Sequence, residues 1–126
     1  MRPEIANWIK QAAADMKTAK DCLSAGNHYA CAFFAQQTVE KALKALFMLR
    51  FKSPPPKIHN LLRLAEKLRL PKDLQRIAAD LTPDATITRY PDIAGAMPAE
   101  LYDKTKAQEK LKSADRLLKW LFKQMR

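Results

Sequence analysis

Glycine is almost absent from this sequence, with two among 126 residues. A β-protein built on tight turns needs many more, so the composition argues against that class. Alanine, leucine, lysine, glutamine and arginine, all good helix formers, dominate instead. No apolar run approaches the roughly 18 residues of a membrane-spanning helix, and the start, MRPEIANWIK, lacks the apolar core of a signal peptide. We therefore expect an all-α, cytoplasmic protein with one domain over residues 1–126.

Residues suited to metal or redox chemistry are also scarce. Cys22 and Cys31 lack the spacing of a metal site or a redox motif, and we expect both to stay reduced. The two histidines, His28 and His59, belong to no metal-binding pattern. There is no glycine-rich phosphate loop and no pair of carboxylates at catalytic spacing. The sequence thus predicts neither a metal nor a cofactor.

Acidic residues are outnumbered, with 13 Asp and Glu against 23 Lys and Arg, a formal net charge of +10. Such a balance suits a polyanion, a nucleotide or an acidic protein as partner. Part of the excess forms a stripe on the last predicted helix: Lys112, Arg116, Lys119 and Lys123. A solvated face is the commoner reason for such a stripe. If it binds RNA or an acidic protein, the association should weaken steeply with salt.

Apolar residues at spacings of three and four predict an antiparallel up-and-down bundle of four main helices, or five. The first helix should begin near Pro3 and stop at Gly26. The second should cover about 27–51, before three consecutive prolines. The last should cover about 103–125, with Asp103 as its cap.

The middle of the chain is less regular. An apolar stripe from Ile58 to Leu81 is interrupted by Pro71, which leaves open one broken helix or two shorter ones. Residues 83–102 hold three prolines and lack helical period, so we expect an ordered loop with a short turn near Ala99. Loops of this length in small domains are often functional or mobile.

The second predicted helix carries polar residues on a face that should be core, in the stretch FFAQQTVEKALKA (33–45). Gln36 and Glu40 are four residues apart and so share that face. Two interpretations are open: a buried polar lock, or the lining of a cleft with Lys44 at its rim. We favour the cleft, closed by the downstream TRYPD stretch, with Arg89 paired to Glu40 and Tyr90 packed beside it.

Three segments in this order resemble the HEPN family of small prokaryotic helical proteins: FFAQQTVEKALKALF, then His59-Asn60-Leu61-Leu62, then TRYPD before the last amphipathic helix. The resemblance implies a four- or five-helix bundle that is usually a dimer. It also implies a minimal nucleotidyltransferase as partner, in operons viewed as toxin–antitoxin modules, and nucleotide binding. Some members are metal-independent ribonucleases that carry an arginine followed, four to six residues later, by a histidine at a cleft across the dimer.

The sequence departs from that ribonuclease pattern, because no histidine follows Arg89 at such a spacing. Metal-free RNA cleavage needs a base and an acid, and an arginine is a poor proton shuttle. A ribonuclease here would have to combine Arg89 with Asp92, Tyr90 or His59. His59 is also interpreted more simply as a cap or loop anchor at the start of the third helix.

The function predicted is therefore a HEPN-like binding module, with five candidate ligand-binding residues: Gln36, Glu40, Lys44, Arg89 and Tyr90. Its predicted partners are a second copy of the chain, a minimal nucleotidyltransferase, and a nucleotide or RNA. The homodimer prediction also uses Phe34, which lies off the apolar face of its helix and needs cover. The alternatives are a ribonuclease toxin and a structural partner that binds another protein through the basic last helix.

Overall fold

Seven α-helices and one 3₁₀ turn make up the fold in a computed structural model, which describes residues 1–126. The helices are α1 (Pro3–Ser24), α2 (His28–Phe51), α3 (Leu61–Lys67), α4 (Lys72–Leu81), α5 (Asp84–Ile87), α6 (Pro91–Ala94) and α7 (Lys104–Gln124), and the 3₁₀ turn covers Pro98–Glu100. None of the helices is long and apolar enough to cross a membrane. The predicted all-α class is confirmed, and the ends of α1, α2 and α7 lie within a residue or two of the predicted ones.

Local signals explain the ends of the long helices. Pro3 occupies the first turn of α1, where its missing N–H costs nothing. Gly26 has φ of +80°, a left-handed conformation that favours glycine and turns the chain into α2. The Asp103 carboxylate accepts a hydrogen bond of 2.7 Å from the Lys106 backbone N–H and caps α7 as predicted.

Helix α2 is the centre of the bundle, packed against α1, α3 and α7. It is buried on most of its circumference, and its buried alanines let neighbouring helices approach closely. Its buried apolar residues are Cys31, Ala32, Ala35, Val39, Ala42, Leu43, Ala45, Leu46 and Met48.

Two pairs of contacts fix the directions of the helices. The Cys31 thiol donates to the Ala107 carbonyl at 3.9 Å, and Arg50 donates to the Gln124 side chain at 3.4 Å. The starts of α2 and α7 therefore lie together, and the two helices run parallel. Helix α4 runs antiparallel to α7, because Lys110 pairs with Asp80 and Arg116 with Asp73. This is the relation expected of an up-and-down bundle.

The middle of the chain forms two helices and not one broken helix. Leu68 closes α3, Arg69 adopts φ of +56°, and Pro71 precedes the first turn of α4. Asn60, directly after His59, is the cap of α3, since its side chain accepts from the Arg63 N–H at 3.3 Å. His59 itself is therefore not the cap.

The segment 83–102 is more helical than predicted. It contains the single turns α5 and α6, and the turn near Ala99 is the 3₁₀ turn Pro98–Glu100. The predicted ordered loop with a short turn near Ala99 thus missed α5 and α6, because one-turn helices are too short to show a period of 3.6 residues.

Phe34 is covered within its own chain, contrary to expectation. Its ring is half-buried, packs against a small cluster of Ala19, Cys31 and Ala107, and meets the Phe33 ring edge-on at 5.2 Å. It therefore gives no support to a dimer.

Candidate functional site

Arg89 is exposed at the surface, and contacts with neighbouring groups fix the position of its side chain. It follows α5, and its Nε–H donates to the Ala85 carbonyl oxygen at 2.7 Å. Its guanidinium lies 5.0 Å from the centres of both the Phe33 and the Tyr90 rings. No carboxylate comes within 4.0 Å of it. The side chain is thus positioned by its neighbours while its charge is not neutralised.

The predicted ion pair between Arg89 and Glu40 was wrong. The Glu40 carboxylate accepts from Gln36 Nε2 at 3.0 Å and from Lys44 Nζ at 3.2 Å, both one turn away on α2. Its third contact, at 3.1 Å, is the Nδ1 of His59. Since three donors within reach satisfy the carboxylate, an arginine from the RYPD segment (Arg89–Asp92) has no place beside it.

Gln36, Glu40 and Lys44 form the buried polar lock and not the open lining that we favoured. Their exposed fractions are 0%, 7% and 5%. Lys44, expected at a rim, is buried because its ammonium pairs with Glu40 inside the bundle. A buried charge pair of this kind is tolerated only when hydrogen bonds satisfy its remaining polar atoms, as Gln36 does here.

His59 brings this lock to the surface. Its side chain is 77% exposed, while Nδ1 contacts the buried Glu40 carboxylate. With the proton on Nδ1, Glu40 fixes the tautomer and leaves Nε2 as a free proton acceptor. His59 is therefore an anchor of the loop before α3, as the simpler interpretation predicted, and at the same time an oriented imidazole.

One face of α2 connects the arginine to the imidazole. Phe33, under the Arg89 guanidinium, precedes Glu40 by seven residues, about 10 Å along a helix. Gln37 lies between them at the half-buried edge and donates to the Gln36 side chain at 2.7 Å. Sequence reasoning missed Gln37, although its place beside Gln36 in AQQ was a signal.

A second polar cluster, not foreseen from the sequence, holds the segment that carries Arg89. The buried Asp84 carboxylate accepts from the Tyr102 hydroxyl at 2.5 Å and pairs with Lys110 Nζ at 2.8 Å. The Thr88 hydroxyl donates to the Asp84 carbonyl at 2.5 Å. Tyr102 is 4% exposed and is thus part of this buried cluster.

The stability of this cluster should depend on pH on the alkaline side. Burial, and next the hydrogen bond to Asp84, raise the pKa of Tyr102 above its ordinary value of 10.0. Above that pH the unfolded chain loses a proton that the folded chain keeps, so ionisation favours unfolding. We expect the contribution of Tyr102 to the free energy of unfolding to be constant below pH 10 and to decrease above pH 10. Urea unfolding from about pH 8 to 11 measures this decrease. A decrease of the same size in the Tyr102→Phe variant would contradict the prediction.

The segment that follows Arg89 in the chain exposes several apolar side chains. Four side chains of residues 90–101 are exposed by 37–58%: Tyr90, Ile93, Met97 and Leu101. Asp92 is exposed in the first turn of α6 and pairs with no basic residue. None of the five main surface cavities is lined by Arg89 or Glu40. Of the five candidate ligand-binding residues, only Arg89 and Tyr90 thus lie on the exposed surface of the chain.

Taken with the bundle, these features define a small helical module with a polar lock in its central helix and a held arginine at one end. The family model of the HEPN domain matches residues 5–125. The chain therefore belongs to the HEPN domain family.

Two solved structures are similar over the whole chain. TT1696 from Thermus thermophilus is 30% identical, with a TM-score of 0.87 over 98% of this chain and 99% of that one. ST0689, an archaeal HEPN homologue, is 32% identical, with a TM-score of 0.82 over all of both chains. Among curated proteins, no sequence matches.

Proposed function

We propose that this chain is a cytoplasmic HEPN-type binding module whose Arg89 contacts a phosphate of a nucleotide or RNA. The observation that carries the proposal is the unpaired guanidinium, held by Ala85 and by two aromatic rings. Holding a long side chain in place lowers the entropy that it loses when a ligand binds. A planar fork of donors also suits phosphate oxygens.

The five candidate residues divide by exposure. Arg89 and Tyr90 are exposed and contact the ligand, with 43% of Tyr90 free to meet a base or sugar. Gln36, Glu40 and Lys44 are buried, so they do not contact the ligand. Gln36 and Lys44 fix the Glu40 carboxylate, which in turn positions His59 at the surface. In this proposal the RYPD segment binds the ligand, and the polar lock positions His59.

The module works as a homodimer in this proposal. The exposed apolar side chains of the segment after Arg89 need cover, and an open face becomes a cleft when a second copy stands opposite. The partner of the dimer is a minimal nucleotidyltransferase in a toxin–antitoxin system, as the combined AQQ and RYPD segments imply. A chain that sediments as a monomer at every micromolar concentration would contradict the dimer.

Replacing Arg89 by alanine should weaken binding of a short single-stranded RNA by at least tenfold. A hydrogen bond to a charged group contributes about 1.5–3 kcal/mol, and about 1.4 kcal/mol is tenfold. Fluorescence anisotropy at two salt concentrations measures this, and the slope of log K against log salt should flatten by about 0.7. Arg76→Ala is the matched control, because Arg76 is an exposed arginine on α4. Equal affinity of Arg89→Ala and Arg76→Ala would refute the proposal.

A second candidate, a metal-independent ribonuclease, is favoured by one observation, the contact between Glu40 and the exposed His59. In that reaction His59 Nε2 takes the proton of a ribose 2′-OH, and the 2′-oxygen attacks the phosphorus. A cyclic phosphate forms, and the departing 5′-oxygen takes a proton from an acid such as Asp92. RNA cleavage that disappears in both His59→Ala and Arg89→Ala would establish this function. If the unaltered protein leaves the RNA intact, the ribonuclease function is refuted and the binding module remains as the proposed function.

A further inference from the structure

A basic surface lies at the far end of the bundle from Arg89. A cavity of about 340 Å³ opens between the start of α4 and the second half of α7. Pro71 and Leu74 form one wall, and Arg116, Lys119, Trp120 and Lys123 form the other. We call it the α4–α7 groove. Trp120 is 13 residues beyond Ala107, about 20 Å along the helix from the end where Arg89 lies.

The α4–α7 groove carries more positive than negative charge. Arg116 pairs with Asp73, and this ion pair ties α7 to α4. Lys119 pairs with Asp115 on its own helix at 2.9 Å, and its side chain is 73% exposed. Lys123 is exposed and has no carboxylate within 4.0 Å. Three cations against two carboxylates leave a net positive groove with one free ammonium.

Trp120 distinguishes this groove from a solvated lysine face. Part of its side chain packs against the core, and the rest lines the groove among the cations. No Lys or Arg covers its ring, although cations do lie over Phe33, Tyr90 and Tyr102. A lysine face needs no indole to stay hydrated. An uncovered aromatic ring flanked by cations is the combination with which proteins bind strands of bases.

We propose that the α4–α7 groove binds single-stranded nucleic acid, with one base against the Trp120 ring and the adjacent phosphates at Lys119 and Lys123. The cavity is at the small end of the range for ligand pockets, which suits one base and not a folded domain. An acidic protein segment would use the same cations but would have no use for the indole. The groove is separate from the Arg89 site, so either can fail without the other.

Tryptophan fluorescence tests this directly, because Trp8 and Trp120 are the two tryptophans of the chain. In a Trp8→Phe background Trp120 is the sole tryptophan, and excitation at the long-wavelength edge, where tyrosine does not absorb, reports on it alone. We titrate that protein with an oligouridylate of about ten nucleotides, within the site size of such grooves. We expect saturable quenching of Trp120, and the same quenching when Arg89→Ala is added.

Two sets of variants separate stacking from charge. With Arg89→Ala present in every sample, so that only the groove is measured, Trp120→Leu should weaken binding by about tenfold, within the range measured for one stacked base. The pair Lys119→Gln and Lys123→Gln should flatten the salt slope by about 1.4, since each phosphate contact on a single strand contributes about 0.7. Lys20→Gln, an exposed lysine on α1, is the matched control and should bind like the parent. Circular dichroism and the melting temperature check that Trp120→Leu is folded.

Two results would overturn the inference. One is oligouridylate binding without any change in Trp120 emission, at an affinity that the two lysine substitutions leave unaltered. The other is equal binding and quenching by polyglutamate, which would make the groove a surface for an acidic protein. The lysine variants do not touch the core, so they decide the matter even if Trp120→Leu fails to fold.

Discussion

Glu40→Ala is expected to lower the free energy of unfolding by about 3–5 kcal/mol, the usual loss when one partner of a buried ion pair is removed. The substitution leaves the Lys44 ammonium 5% exposed with no carboxylate beside it. It also removes the acceptor of the Gln36 amide and the contact that anchors His59. For a chain of this length the melting temperature should fall by roughly 10–20 °C.

Urea unfolding of Glu40→Ala measures this loss, and two comparisons show its origin. Asp21→Ala breaks an ion pair with the same spacing, Lys17 to Asp21, on the exposed face of α1, and should leave stability unchanged within error. Glu40→Leu combined with Lys44→Met should regain most of the stability, since it removes both buried charges. A Glu40→Ala protein as stable as Asp21→Ala would contradict the polar lock.

Asp84→Ala should lower the free energy of unfolding by about 3 kcal/mol, the low end of the range for a broken buried pair. The Tyr102 hydroxyl loses its acceptor inside the protein, and Lys110 loses one of its two carboxylates. The effect stays below that of Glu40→Ala because Lys110 keeps Asp80, whose carbonyl lies 2.8 Å from its Nζ.

The same substitution should also weaken ligand binding at Arg89, because Asp84 fixes the segment on which Arg89 stands. Thermal unfolding and RNA anisotropy on the same Asp84→Ala sample measure both effects. Glu109→Ala, an exposed carboxylate next to Lys110 on α7, is the control and should change stability by less than about 0.5 kcal/mol. Loss of stability with full RNA affinity would show that Arg89 is held without the Asp84 cluster.

The long helices were predictable because their signals are local. Pro3, Gly26 and Asp103 act on neighbouring residues, and a period of 3.6 persists over twenty residues in α1 and α7. The polar pair on α2 was also recognised correctly as unusual for a core face. Each of these signals depends only on a residue and on the helix that contains it, so it can be recognised in the sequence.

The partners of the polar groups were not predictable, because they depend on how distant segments meet. Arg89 seemed the natural partner for Glu40, but Lys44 satisfies that carboxylate from one turn away, and the loop before α3 returns to place His59 there. Asp84 meets a tyrosine 18 residues later and a lysine on another helix. No periodic pattern in the sequence marks contacts of that kind.

The central claim, that Arg89 is the phosphate contact of this module, is tested most directly by the Arg89 Nε–Hε resonance in ¹H–¹⁵N spectra. Its loss in Arg89→Lys assigns it, and its bond to the Ala85 carbonyl protects it from exchange. On titration with a short single-stranded RNA, we expect it to shift saturably, together with the backbone amides of Phe33 and Tyr90. An RNA that shifts the Trp120 indole resonance but leaves Arg89 unmoved would contradict the central claim.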